Sequence, residues 1–438
     1  MNFLYMPMEI ASRELDSRLL ITLFANKAGL EVIIGQKWLL QKNARWMPKG
    51  FWIFKTLTPG DAKAMHRIKK LGHRIGAIDE EMPGLGEGCK RLRWVDKRSV
   101  ESSEAIFCLG DQHVSSMIDS YPNHQEKLHI TGNPRWDFLR PELRQLYADD
   151  AAKIRSEHGR IILINTNIGL VNSAKNTAAG LIRALSRDGR INLKIEEDRK
   201  FVNDLQSFEE ANFSAAPHLA RRLAIEFPEH TIVLRPHPTE KIEPYLQELQ
   251  SLPRIKIIRE GPAAAWLSAS EVLVHTSCTT ATEAFALGQP AICFETSPSS
   301  MHSYFLSSAL SVSAKSEDEV IKAAREIISG GESNFSNKDT RKVFEKFFAA
   351  QSGPLAAERI ANFVANSFGT NSHKEPSDWK PGFMFRRKWR PSKFQKRIFP
   401  PIENSDVEAR LQTLTSMLDE VSMPKVHKIG DGQFHIHP

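Results

Sequence analysis

The 438-residue sequence contains no apolar run long enough to cross a bilayer, and its opening, MNFLYMPMEI, lacks the basic region and long apolar segment of a secretion signal. Synthesis and residence in the cytoplasm, with peripheral attachment to the inner membrane as the one membrane relation left open, is the expectation. Cysteine is scarce as well. The four present (Cys89, Cys108, Cys278, Cys293) form no CxxC pair and no metal-ligand spacing, which points to reduced, buried thiols rather than disulfides or zinc. No DxD-type acidic pair flanked by apolar strand residues occurs, so neither a metal nor any other cofactor is expected.

Net charge is missing from most of the chain. Between His373 and Pro400 nine basic residues face only Glu375 and Asp378, and this surplus accounts for the whole net charge of +7. A globular part that is neutral overall gives nucleic-acid binding no support. The basic stretch is interleaved with Phe383, Phe385, Trp389, Phe394 and Phe399. It suits an anionic membrane surface, each basic side chain contributing roughly 1 kcal/mol, or equally a solvated or packed tail.

What the chain does have is a βα rhythm. FLYMP, LEVIIG, FWIFKTL, HRIGAID, EAIFCLG and KLHITG are short apolar runs separated by stretches with apolar residues at helical spacing. RIILINTN, TIVLRPHP, RIKIIRE, EVLVHT and PAICFE repeat the pattern further on. Alternation of this kind makes parallel sheets covered by helices, and the length requires more than one core. The expected fold is α/β of GT-B type: a Rossmann-like acceptor-side domain over 1–155 and a nucleotide-sugar-binding Rossmann-like domain over 156–350. A closing helix at 351–370 and a basic, aromatic tail with a short helix at 371–438 complete it.

In such folds ligands bind at the carboxyl ends of the strands. EVLVHTSCTTATEAFALGQPAICFE brings Ser277, Thr279 and Thr280 to the start of a helix, with Glu283 one turn in. A helix start carries about half a positive charge, so a phosphate there is stabilised by roughly 0.3 to 2 kcal/mol, and a carboxylate at Glu283 could receive ribose hydroxyls. Helix capping, with Thr280 and Glu283 as a capping box, competes for the same residues. TIVLRPHPTEK sets Arg235, His237 and Thr239 at the end of another strand of that sheet. Pro236 and Pro238 stiffen the backbone around His237, which can then donate to a phosphate oxygen. Asn165 and Asn167 end the strand ILINTN, where they either bond the base or a donor carboxylate, or form a turn.

At these residues the chain resembles bacterial transferases that use CMP-activated acidic sugars. Sialyl-, polysialyl- and Kdo-transferases of surface polysaccharide assembly share an HP motif, matched by His237-Pro238, and a Ser/Thr motif, matched by Ser277 to Thr280. In those families the pair binds CMP. The chain is most similar to surface carbohydrate (capsule and lipopolysaccharide) biosynthesis proteins that include the retaining β-Kdo transferases, over most of residues 1–350. EIASRELDSRLL, IDEE at 78–81, TGNPRWD at 131–137 and ILINTN also match. CDP-alditol phosphotransferases of teichoic acid synthesis resemble the second domain too. The resemblance implies a CMP-sugar donor, most simply CMP-Kdo, a glycan or glycolipid acceptor, and retention. A non-catalytic nucleotide-sugar-binding scaffold is the remaining alternative.

A transferase of this kind needs a carboxylate as base or nucleophile. Asp79, Glu80 and Glu81 end one strand of the first domain, and in the related transferases an acidic pair at this place, followed by glycine, contains the catalytic acid. Here Met82-Pro83 intervene before Gly84, which leaves Glu80 and Glu81 both open. Asp137 is a further acid, with a helix N-cap as its ordinary role. Glu9, Arg13 and Glu14 follow the first strand; Arg13 suits the carboxylate of an acidic sugar or an ordinary helix charge pair.

Overall fold

The apolar runs become strands, and the central ones are buried on both faces, the condition for a parallel sheet covered by helices, while Leu128–Ile130, Ile255–Ile257 and Val312–Ala314 at the sheet edges are partly exposed. A computed structural model describes residues 2–438 apart from 81, 83, 84, 87, 88, 90, 91, 175, 331–336, 370–378 and 380–389. The side chains of Lys393, Phe394 and Arg397 also lie outside the described set. Glu81 and most of the basic tail are therefore among the residues of which nothing structural is said.

The chain forms two units, one comprising Met1–Met82, Trp94–Leu143 and Glu345–Pro438, the other Pro83–Arg93 and Arg144–Phe344. The first holds the strands β1 (Phe3–Met8), β2 (Glu31–Gln36), β3 (Gly50–Phe54), β4 (Arg74–Ile78), β5 (Ala105–Cys108) and β6 (Leu128–Ile130). They lie parallel in the order β2-β1-β3-β4-β5-β6. The helix Ala11–Lys27 buries most of its length, and the helix Ala356–Ser367 packs against it. The second unit holds β7 (Arg160–Asn165), β8 (His230–Arg235), β9 (Ile255–Ile257), β10 (Val272–His275), β11 (Ala291–Phe294) and β12 (Val312–Ala314), all parallel in the order β12-β11-β10-β7-β8-β9. Ile162 and Ile164 of β7, with Ile232 and Leu234 of β8, pack under Leu219 and Leu223 of the 31-residue helix Glu196–Glu226.

The domain boundaries differ from the expected ones in two ways. The first unit ends its main run at Leu143, so the helix Ala148–His158 belongs with the second. More consequentially, the chain returns from Glu345 to the first unit, and its end is not a bare tail. Lys425–Gly430 (β13) and Gln433–His437 (β14) form a hairpin whose second strand pairs antiparallel with β2, extending that sheet to eight strands. QFHIH alternates polar and apolar residues after the Asp431-Gly432 turn, where Gly432 stands at φ 59°, and the register shifts between Lys428 and Gly430 on the first strand. Gly35 is required on the other side: a Cβ there would stand 2.6 Å from the Gly432 carbonyl oxygen. Within the basic stretch Trp379 packs edge-on against Phe3 and His435, an interior role for one of its aromatics.

Candidate functional site

Strand register sets up the site in the second unit. Asn165 lies beside Arg235 on one side and His275 on the other, so the carboxyl ends of β8, β7 and β10 form one row. The segments that leave this row carry His237, Thr166 to Asn167, and Thr276 to Thr280.

Glu240 organises the row. It is fully buried, and its Oε1 accepts from the Thr166 hydroxyl (2.8 Å), the Ile168 N–H (3.0 Å) and the His237 N–H (3.0 Å), while Oε2 accepts from Tyr245 (2.7 Å). One carboxylate thus ties the segment after β7 to the segment after β8. The His237 ring is oriented next: Nδ1 accepts from the Thr239 N–H (3.3 Å) and lies 2.7 Å from its hydroxyl. An acceptor Nδ1 leaves the proton of the neutral ring on Nε2, so Nε2 is a donor. Pro238 is exposed, and its part is backbone stiffness.

His275 does for the Ser/Thr segment what Glu240 does for the HP segment. It is completely buried, which pushes its pKa down to about 3 and keeps it neutral. Nδ1 accepts the N–H groups of Ser277 (3.0 Å) and Cys278 (3.3 Å), and Nε2 donates to Ser311 (2.8 Å). Ser277 is thereby held at φ 71°, a conformation that costs a residue with a Cβ on the order of 1 to 3 kcal/mol. Its hydroxyl turns inward to Ser308 (3.4 Å), so Ser277 shapes the segment and does not present an oxygen to a ligand.

Capping does not explain the hydroxyls that follow. The helix Thr280–Leu287 has Thr279 at its N-cap position with no side-chain capping bond, and Thr280 Oγ1 instead accepts from Asn165 Nδ2 (2.7 Å) and donates to Cys278 Sγ (3.1 Å). Two atoms at this edge are buried without a hydrogen-bond partner: Asn165 Oδ1 and Thr276 Oγ1. Buried orphans of this kind cost free energy unless a bound molecule completes them. Asn167, Thr279 and Glu283 are half-buried beside them in sequence.

Arg235 requires a correction. Its guanidinium donates to the carbonyls of Glu260 (2.7 Å), Gly261 (3.0 Å) and Arg259 (3.3 Å) and lies over the Trp266 ring at 5.0 Å. Burial lowers its pKa to about 10, and the group is a strut for the 259–261 turn, directed away from phosphate duty.

In the first unit the acidic candidates separate. Asp79 is buried and accepts from the Trp94 indole N–H (2.8 Å), a packing role. Glu80 donates its own N–H to the Lys55 carbonyl, and its carboxylate meets Arg18 at 3.2 Å and Arg135 at 3.9 Å. Burial opposes the charge, yet Arg18, Arg135, Arg13 and Lys55 together hold its pKa below the usual carboxylate value. Glu80 is therefore an anion at neutral pH. Glu81, the alternative, lies outside the described residues. Asp137 is corrected: it accepts the N–H groups of Ala356 and Ala357, both at 2.9 Å, and caps the helix Ala356–Ser367 rather than its own. Glu14 is likewise a cap, accepting from the N–H groups of Ile10 (2.9 Å) and Glu9 (3.1 Å). Glu9 reaches Lys55 (2.8 Å) and Lys37 (3.6 Å), and although burial works against it, the two ammonium groups lower its pKa. Arg13 is exposed.

Nothing local in the sequence singles out Glu240, His275, Lys55, Arg18 or Glu209 as partners of these segments. Glu209, from the long helix, accepts the N–H groups of Leu170 (2.7 Å) and Val171 (2.9 Å) at a single oxygen and fixes the same segment that Glu240 anchors. Burial raises its pKa from 4.5 to about 7. A raised carboxylate pKa means that the folded state holds its proton more tightly than the unfolded chain, so this group's contribution to stability falls as pH rises from about 4.5 through about 7. Glu209→Gln keeps an oxygen for both N–H groups and removes the titration. Urea midpoints across pH 5 to 8 are expected to fall less steeply in the variant, which becomes the more stable protein at the alkaline end; identical slopes would exclude the effect.

Among the described residues no group of His, Cys, Asp and Glu suits a metal ion, and no helix is long and apolar enough to cross a membrane. No family model and no curated protein matches the chain. Solved structures do. A UDP-GlcNAc 2-epimerase from Methanocaldococcus jannaschii superposes with a TM-score of 0.52 at 11% identity, covering 84% of this chain and 99% of that one. MnaA of S. aureus, in a co-structure with UDP, gives 0.51 at 14%, covering 86% of this chain and 100% of that one. A putative UDP-N-acetylglucosamine 2-epimerase from Listeria monocytogenes gives 0.51 at 11%, covering 86% and 99%. At such identities the likeness is one of fold, and the fold is GT-B, in two parallel-sheet units.

Proposed function

We propose that the protein is a nucleotide-sugar-using transferase of surface polymer synthesis, moving an acidic sugar, Kdo, from its CMP form to a glycan or glycolipid acceptor. The observation that carries this reading is the His237 ring, oriented by Thr239 and Glu240 so that Nε2 donates, in the same strand row as the orphan oxygens of Asn165 and Thr276. A phosphate accepting from His237 Nε2 would leave with the CMP, its growing charge met by that donor and by the start of the helix Thr280–Leu287. The orphan Asn165 oxygen can accept from an amino or hydroxyl group of the donor, and the Thr276 hydroxyl can do so or donate. Glu283 is the candidate for the ribose hydroxyls. With Arg235 committed elsewhere, His237 becomes the principal side-chain donor to the single phosphodiester.

The carboxylate at the end of β4, Glu80 or Glu81, would attack the anomeric carbon or take the acceptor proton, and the family resemblance favours attack and retention. Glu80 is already held ionised by Arg18 and Arg135, as a nucleophile must be. Solved structures of similar fold include UDP-GlcNAc 2-epimerases, so the deciding experiment offers purified protein CMP-Kdo, CMP-sialic acid, CDP-glycerol and UDP-GlcNAc in parallel and follows nucleotide release and product. CMP release from CMP-Kdo, unchanged by EDTA, is expected. Phosphodiester in the product would move the protein to the CDP-alditol class, conversion of UDP-GlcNAc to its C2 epimer would make it an epimerase, and binding without turnover of any donor would leave a scaffold.

A further inference from the structure

A cavity of about 320 Å³ opens in the second unit between the long helix Glu196–Glu226 and the segment that leaves β11. The helix supplies Lys200, Asp204, Ser207 and Phe208, spaced four, three and one apart and so on one face, and the segment supplies Ser297 and Ser299. Phe208 is buried and gives the apolar wall, while Lys200 lies 3.6 Å from Asp204 with 75% of its side chain exposed. The hydroxyls of Ser207 and Ser297 make no hydrogen bond among the described residues. Ser299 Oγ accepts the Met301 N–H (3.2 Å), which leaves its own proton free to donate.

Position points to the ligand. β11 pairs with β10 in parallel, so its end stands one strand spacing, roughly 4.8 Å, outward from the end of β10 in the row that carries His237, Asn165 and Thr276. Buried atoms without partners continue along the same line. After Asn165 Oδ1 and Thr276 Oγ1 come Asn212 Nδ2, whose amide oxygen accepts from the Thr296 hydroxyl (2.6 Å), and His302 Nδ1, whose ring donates from Nε2 to the Ser297 carbonyl (3.0 Å). His302 also meets the Phe208 ring edge-on at 5.1 Å, so both orphans belong to side chains that hold the walls of the cavity.

We propose that this cavity takes the sugar of the donor, a polyhydroxylated carboxylic acid, with Ser207, Ser297 and Ser299 bonding its hydroxyl groups and Lys200 its carboxylate. At about 320 Å³ it lies at the lower end of the roughly 300 to 1,000 Å³ of small-molecule sites, which gives room for one monosaccharide and leaves the nucleotide to the neighbouring row. Hydroxyls that both donate and accept suit a polyol, and an exposed ammonium paired only along its own helix can turn from Asp204 to a sugar carboxylate. The assignment of a sugar acid rests on the reading of the β8, β7 and β10 row as the nucleotide end of the donor site.

Saturation-transfer NMR on the full chain, with CMP present, is to compare free Kdo, glycerol and GlcNAc for wild type, Ser207→Trp and Lys200→Gln. Both positions are exposed, so the variants should keep the wild-type thermal midpoint. Kdo should receive saturation well above the two neutral compounds. The tryptophan, by filling the cavity, should cut the Kdo signal at least about tenfold. The glutamine should weaken Kdo binding about fivefold, the size of a partly exposed ion pair, and CMP affinity should hold in both variants. With CMP-Kdo as substrate, kcat/KM should fall in the same order. A Kdo signal that is absent in wild type, equal in wild type and either variant, or matched by GlcNAc overturns the proposal. Kdo binding as expected without turnover of CMP-Kdo would instead sink the transferase reading and leave the sugar pocket in place.

Discussion

Glu240→Ala should unfold the carboxyl edge of the β8, β7 and β10 row in the second unit, whereas Glu240→Gln should leave it standing. In the alanine variant the Thr166 and Tyr245 hydroxyls and the N–H groups of Ile168 and His237 lose their common acceptor in a region closed to water. Hydroxyls can turn to other partners, but the two N–H groups cannot, and each buried orphan costs about 1 to 3 kcal/mol. With the packing loss included, the expected destabilisation is on the order of 3 to 5 kcal/mol. Glutamine keeps an oxygen where Oε1 accepts three of the four bonds, and its amide can donate to a Tyr245 hydroxyl that has turned round. Its cost should stay near 1 kcal/mol. Urea denaturation checks the contrast. Equal loss in both variants would mean that the negative charge, not the acceptor geometry, is what the segment needs.

That contrast also shows which parts of this protein could be read in advance. The two sheets were legible because parallel strands buried on both faces read as apolar runs, and RIILIN and TIVLR are such runs. The HP and Ser/Thr segments were legible as segments, since turn and helix-start residues cluster there. The partners that hold them were not. Glu240 lies three residues beyond His237, yet nothing in TEK distinguishes a solvated acid from one two of whose four donors, Thr166 and Ile168, stand more than 70 residues upstream. Arg235 was misread for the same reason: a strand-end arginine looks like a ligand until the 259–261 carbonyls and Trp266, some 25 residues on, take up its donors. The terminal hairpin did carry a local signal in its Asp-Gly turn, which the charge and aromatics of the preceding stretch obscured.

Taken together, the buried anchors divide labour between fold and chemistry. Glu240, Glu209 and His275 each accept two or more backbone N–H groups, and so set the path of a segment without facing a ligand. His237 alone among these groups is half-buried and ends in a donor. A site built this way should be sensitive to anchor substitutions through stability and to His237 through rate.

His237→Ala should therefore separate the two effects. Its main-chain bond to Glu240 survives the substitution, and the ring is half-buried and bonds Thr239, two residues away, so the stability change should stay near 1 kcal/mol, about the usual size for a point substitution. If the ring donates to the departing phosphate, release of CMP from CMP-Kdo should fall by roughly 10² to 10³, the usual effect of deleting one donor to developing charge. His237→Gln can place its amide nitrogen near the Nε2 position and should recover part of the rate; Thr239→Ala, which loosens the ring without removing it, should lose less than His237→Ala. Isothermal titration with CMP distinguishes ground-state from transition-state contact. A rate loss with CMP affinity nearly unchanged places the hydrogen bond mainly in the transition state, and equal losses in both make His237 a simple phosphate ligand. An unaltered rate in His237→Ala would remove it from the chemistry and with it the observation on which the donor site rests.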